Sequence, residues 1–168
     1  NDGGLYTSDD FGDTWNWVNN IPITQFYDIE IDYLNPERLF GGTQDNNSIR
    51  TKFGTVGGWD PILGGDGFYA LVDYTNSNVV YAEYQWGKLH RSTNGGNSMY
   101  AINDYWSSDR VNWSAPVIMH PQNPNVLYFG TYRVWKTTNG GSSWSTMSGD
   151  LTNGDDGSTF HTISTLAI

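Results

Sequence analysis

Thr137-Thr138-Asn139-Gly140-Gly141-Ser142-Ser143-Trp144 and Ser92-Thr93-Asn94-Gly95-Gly96-Asn97-Ser98-Met99 are two renderings of one pattern, and Ser8-Asp9-Asp10-Phe11-Gly12-Asp13-Thr14-Trp15 is a third. Each runs Ser or Thr, any residue, Asp or Asn, any residue, Gly, any residue, Ser or Thr, then Trp or Met. This is turn chemistry. The Asp or Asn oxygen accepts backbone N–H groups, and the glycine supplies positive φ. Thr51 opens a degenerate fourth copy in which Gly57-Gly58-Trp59 closes a lengthened turn. From Ser8 to Thr51, Ser92 and Thr137 the intervals are 43, 41 and 45 residues. A second marker keeps the same register: Asp32-Tyr33-Leu34-Asn35-Pro36, Asp73-Tyr74-Thr75-Asn76-Ser77 and His120-Pro121-Gln122-Asn123-Pro124.

Between these markers lie short runs rich in Val, Ile, Tyr, Phe and Trp, which read as strands. The spacing predicts them at 26–31, 38–43, 48–51 and 59–63, then at 68–73, 79–84, 88–92 and 98–102, then at 116–120, 126–131, 133–137 and 143–147. Four strands in each period of about 40–45 residues is the signature of propeller blades. The expected fold is therefore all-β, with β-propeller blades of four antiparallel strands. The expected division is a partial blade (strands three and four) at 1–20, blades at 21–63, 64–104 and 105–150, and a loop plus the first strand of a further blade at 151–168. Three whole blades with partial blades at both ends read as a partial propeller, a stretch of a larger one, which by itself should aggregate or assemble.

The eight-residue pattern resembles the Asp-box of the BNR repeat. The first copy matches fully, and the copies at Ser92 and Thr137 carry Asn in place of Asp. That repeat occurs in sialidases, xyloglucan-degrading glycoside hydrolases, sortilin-type receptors and a photosystem II assembly factor. With the Asn-Pro turns and the run Gly41-Gly42-Thr43-Gln44-Asp45-Asn46, the general likeness is to large secreted bacterial proteins. The resemblance implies an extracellular or cell-surface location. It also implies that the box is structural: Ser8, Asp10, Gly12, Trp15, Ser92, Asn94, Gly96, Thr137, Asn139, Gly141 and Trp144 brace turns on the face away from the ligand, each closing Trp packing under its hairpin.

By alternation the remaining loops share the opposite face, and they do not repeat, as site-bearing connections commonly do not. They carry Gln44, Asp45, Asn46, Asp66, Trp86, Trp106, Asp109, Arg110, Trp113 and Tyr132. Exposed aromatics that stack on sugar rings, beside carboxylates and amides that bond hydroxyls, would form a carbohydrate groove. The plainer alternative is that the aromatics cap sheet ends. Aligning the first strands of the blades singles out Asp28 and Glu30, whose counterparts are Tyr69 and Leu71 in one blade and Pro116 and Ile118 in the next. Two carboxylates at i and i+2 share one side of a strand. With Asp45 they suit a general acid/base pair or a hard cation such as Ca2+; the alternative is that they only face channel water. Asp155 and Asp156 suit structural Ca2+ or a plain solvated loop. No other cofactor is indicated.

Composition narrows the function. There are 18 acidic and 8 basic residues, a net charge of −10, and no cysteine. No basic cluster is present to release counterions from phosphate, so nucleic acid is not the expected partner. No apolar run is long enough for membrane insertion as a helix, and no charged-then-apolar leader pattern is read in this segment. Absence of cysteine removes disulfides, thiolate zinc sites and a thiol nucleophile. Two functions remain. One is a glycan-binding or glycoside-hydrolase-like propeller acting on neutral polysaccharide by carboxylate acid/base chemistry. The other is a non-catalytic scaffold, adhesin or sortilin-like, that binds protein. A sialidase is disfavoured, since none of the five arginines lies in a suitable motif and a net charge of −10 repels an anionic sugar. The xyloglucanase-like reading needs two aspartates, of which at most one is expected here. The expected partners are thus a carbohydrate or protein ligand, together with remaining blades of a larger protein or further copies of this chain.

Overall fold

The computed structural model describes residues 4–19, 23–54, 57–154 and 160–168. The described residues are almost wholly strand and turn, with one short 3-10 turn at Asp104–Trp106. A hairpin of β1 (Tyr6–Thr7) and β2 (Asn16–Trp17) comes first. Three four-stranded antiparallel sheets follow, each a meander of consecutive strands. The first holds β3 (Phe26–Ile31), β4 (Leu39–Thr43), β5 (Ser48–Thr51) and β6 (Trp59–Leu63). The second holds β7 (Gly67–Val72), β8 (Val80–Tyr84), β9 (Lys88–Ser92) and β10 (Tyr100–Ala101). The third holds β11 (Val117–His120), β12 (Asn123–Gly130), β13 (Val134–Thr137) and β14 (Ser145–Thr146).

These strands fall on the runs expected from the sequence, with β10 and β14 shorter than the 98–102 and 143–147 predicted. The cause lies in the preceding turns. The Ser98 and Ser143 N–H groups, at the starts of those runs, donate at 2.9 Å to Asn94 and Asn139 Oδ1 rather than to a ladder.

The repeated turns are built alike. Ser8 Oγ donates to Asp10 Oδ1 at 2.8 Å and accepts from the Gly12 N–H at 2.7 Å, while the Thr14 N–H returns to Asp10 Oδ1 at 2.9 Å. Ser92 and Thr137 make the same pair of bonds to Asn94 and Gly96, and to Asn139 and Gly141. Bonds from Thr14 and Ser8 hold the Asp10 carboxyl down at about 2. The second marker is also a local cap: Asp32 and Asp73 each accept the N–H two residues on, and His120 Nδ1 accepts that of Gln122 in the same way.

The sheets stack face to face. β7 lies against β3 and β4, and the first seam is filled by Phe40, Ala70, Val72 and Val80, with Ile62 alongside. Gly42 is demanded there, since any Cβ would meet the Gly67–Phe68 backbone. The second seam is larger and aromatic, with Tyr81, Leu89, Trp106, Val117, Leu127, Phe129, Trp135 and Trp144 buried together.

Two expectations fail at the ends of the row. Trp15 is not buried under its hairpin as Trp144 is; it is exposed, because among the described residues β1 and β2 make no extensive contact with another sheet, whereas Trp144 has Trp106 and Phe129 beneath it. Residues 162–168 form no strand. Ile163 does pack over Gly130 and donates its N–H to the Thr131 carbonyl at 2.7 Å, but no ladder forms along this segment among the described residues.

Candidate functional site

The connections after β4 and β8, and those between sheets, gather at one end of the stack. The 44–47 loop turns through positive φ at Asp45 (58°) and Asn47 (76°), with the Thr43 N–H donating to the Asn47 carbonyl at 3.0 Å. Asn46 Nδ2 closes back on the Gln44 carbonyl at 2.9 Å. Asp66, nearly buried, joins two loops: its carboxylate accepts from the Asp45 N–H at 2.5 Å and from Gln85 Nε2 at 3.1 Å. Asp66 is thus a brace that positions Asp45 and Gln85.

Beside these loops runs a row of rings. Tyr27 lies 4.8 Å from Phe68, Phe68 lies 6.0 Å from Trp113, and Trp113 meets Trp86 edge-on at 5.0 Å. Phe68 is buried, while Tyr27, Trp113 and Trp86 are 46%, 41% and 51% exposed. The Trp86 N–H donates to the Trp113 carbonyl at 3.0 Å, and Trp86 sits at φ 64°, so the backbone that carries this ring is pinned to the 103–114 connection. A depression of about 190 Å3 lies beside it, between Lys88, Asn103 and Phe160. Tyr27 was missed from sequence because strict alternation along β3 sends it away from Asp28. The bulge between Phe26 and Asp28 breaks that alternation.

Other expected contact residues have structural duties. Trp106, 2% exposed, stacks on Phe129 at 4.2 Å and donates Nε1–H to the Gly87 carbonyl, so it is a core ring rather than a surface one. The Asp109 side chain is buried and accepts from Thr131 Oγ1, from Arg133 Nε and Nη2, and from Trp135 Nε1, at 2.7–3.0 Å. Burial pushes its carboxyl up, but these donors outweigh it and hold the group below its usual range. Arg110 donates to Asp150 at 2.6 Å and lies over the Tyr132 ring at 4.4 Å, with the Arg133 guanidinium over the same ring at 5.0 Å. Arg110 and Tyr132 thus knit the 103–114 connection to the third sheet. Each was read as a free contact because sequence shows a loop residue's type without its partners.

Asp28 and Glu30 do share one side of β3, turned toward the second sheet. Burial raises the Asp28 carboxyl, although it accepts the N–H groups of Ile29 and Ala70. Burial, then the Asp28 charge, lifts Glu30 to about 7. Glu30 opens onto an apolar depression of about 500 Å3 lined by Tyr33, Leu71, Val72, Tyr74, Ile118, Met119 and Pro121. Tyr33, Tyr74 and Pro121 belong to the connections within sheets that follow β3, β7 and β11. Glu30 therefore faces the end opposite Asp45. Among the described residues no group of three or more His, Asp or Glu side chains is placed to hold a metal ion. Asp155 and Asp156 lie outside the described residues.

Glu83 was also missed. It is fully buried, and its Oε1 accepts the Ala115 N–H at 2.9 Å while Oε2 has no partner among the described residues. Burial drives its carboxyl well above the ordinary value. The internal alignment carried the signal: its counterparts in the other sheets are Gly42 and Gly130. With a raised folded value, folding favours the protonated form of this acid. Its contribution is complete below the unfolded value and is lost as pH rises toward the folded one. Thermal melts from pH 5 to 8 should show the native chain losing stability relative to Glu83→Gln as pH rises, by about 1 kcal/mol or more. A constant difference between the two across that range would rule out a proton on Glu83.

No family model matches the chain, and no curated protein does. Solved structures do. An ancestral GH74 enzyme superposes with a TM-score of 0.61 at 19% identity, over 90% of this chain and 22% of its own. The GH74 xyloglucanase from Xanthomonas campestris gives 0.57 at 17%, over 90% and 28%. YCF48 from Cyanidioschyzon merolae gives 0.57 at 17%, over 81% and 41%. The chain thus spans 22–41% of the length of these three, and at such identities the likeness is one of fold: this chain is built of β-propeller blades.

Proposed function

We propose that the loop face binds a neutral polysaccharide and that the chain is part of a glycoside-hydrolase-like propeller. The observation that carries this is the row of exposed rings, Tyr27, Trp113 and Trp86, beside Gln44, Asp45, Asn46 and Gln85. Rings offer flat apolar faces to the C–H side of sugars, while the amides and carboxylate bond hydroxyls. The net charge of −10 favours an uncharged glycan over an acidic one. Likeness in fold to a xyloglucanase makes xyloglucan the first polymer to try. Any hydrolysis would draw on Asp45 at the loop end or on the Asp28–Glu30 pair, and the reading carries an extracellular or cell-surface location with no resident cofactor.

Isothermal titration with xyloglucan oligosaccharides, against polygalacturonate as the anionic control, tests it. The expected result is saturable binding of the neutral glycan, weakened about tenfold by Trp86→Ala or Trp113→Ala with little change in melting temperature. Silence toward every neutral glycan, with capture of a protein partner instead, would replace this reading by the scaffold one.

A further inference from the structure

At both seams one member of a cation–aromatic pair grips a carbonyl in the turn of the next sheet, and a third such pair stands open. In the first sheet Arg50 on β5 pairs opposite Phe40 on β4. Its guanidinium donates to the Gly95 carbonyl in the turn of the next sheet and to Asn97 Oδ1, and Arg38 donates to that same carbonyl. In the second sheet Arg91 pairs opposite Tyr81, whose hydroxyl donates to the Gly140 carbonyl at 3.0 Å in the turn of the third. Both gripped turns are buried at their paired glycines. The third sheet repeats the device: Lys136 pairs opposite Tyr128, its ammonium 5.4 Å from the ring centre. Neither the Lys136 ammonium nor the Tyr128 hydroxyl has a hydrogen-bond or ion-pair partner among the described residues.

The matching turn is present elsewhere in the chain. The Ser8 to Trp15 turn has the same internal hydrogen bonds as the two gripped turns, and Phe11 has φ 61° where Gly95 and Gly140 have 70° and 65°. Its carbonyl is therefore presented in the same way. Yet Phe11 and Gly12 are exposed where Gly95, Gly96, Gly140 and Gly141 are buried. Asp13 stands where Asn97 meets Arg50, so docking would set a carboxylate against Lys136. Among the described residues of one chain the β1–β2 hairpin makes no extensive contact with the third sheet.

We propose that the Tyr128–Lys136 face receives the Ser8 to Trp15 turn of a second copy of this chain. The Phe11 carbonyl then lies at the Tyr128 hydroxyl, and Asp13 pairs with Lys136. The contact is head-to-tail, using different surfaces on the two copies. It continues the stacking already seen at both seams, and it does not depend on the glycan reading.

Sedimentation velocity over a concentration series tests this with four chains: native, Lys136→Glu, Asp13→Lys and the double variant. Both positions are outside the core, and circular dichroism checks that each variant stays folded. The native chain is expected to associate reversibly, and each single reversal to weaken association about tenfold. The double variant, with the charges exchanged, should recover most of the loss. Native chain that stays monomeric at every concentration overturns the proposal. So do single variants that associate as the native chain does, or a double variant no better than the singles.

Discussion

Trp106→Ala is expected to lower the unfolding free energy by about 3–5 kcal/mol, the range for emptying a buried aromatic site. The ring stacks on Phe129 at 4.2 Å and meets Trp144 and Trp135 at 5.2 and 6.1 Å, so its removal opens a cavity at the centre of the larger seam. It also leaves the Gly87 carbonyl without its Nε1–H donor. Urea unfolding followed by far-UV circular dichroism measures the loss. Trp86→Ala, which removes a half-exposed ring, should stay within about 1 kcal/mol of the native chain. Equal losses would mean that Trp106 is no more a core ring than Trp86.

Asp109→Ala is expected to cost about 3 kcal/mol. Four donor atoms, from Thr131, Arg133 and Trp135, converge on that carboxylate, and removing it strands them next to an uncompensated guanidinium. Arg133 keeps some contact with solvent, which holds the loss near the lower end for buried pairs. The loss should depend on pH. A carboxyl held low in the folded state contributes stability above its unfolded value and loses it as pH falls through the folded one. The gap between the native chain and Asp109→Ala should therefore narrow in acid, as unfolding curves at pH 7 and pH 3 would reveal. An equal gap at both values would mean that packing, and not the charge, is what Asp109 supplies.

The uneven legibility of the site follows from the kind of information each residue needs. Asp28 and Glu30 could be paired from sequence because side chains along a strand alternate, and the structure does couple them electrostatically. Their relation to Asp45 could not be read, since that depends on which end of the sheet each residue opens toward. Trp86, Trp106 and Trp113 look alike as letters in non-repeating loops. Only the path of the 103–114 connection sends Trp106 down onto Phe129 and leaves Trp113 at the surface beside Trp86. Tyr27 escaped notice because a bulge, which no residue type announces, changes the side on which a ring emerges.

The repeat by itself determined the strands, their order and the turns between them. Those depend on contacts within a few residues: Ser92 to Asn94 and Gly96, Asp73 to Thr75, and alternation along a strand. Which groups are buried at a seam, which carboxylate is gripped by arginine and which ring meets solvent was decided only by stacking one sheet on another. Those partners lie tens of residues apart, as Asp109 and Arg133 or Glu83 and Ala115 do, and a local pattern carries no record of them.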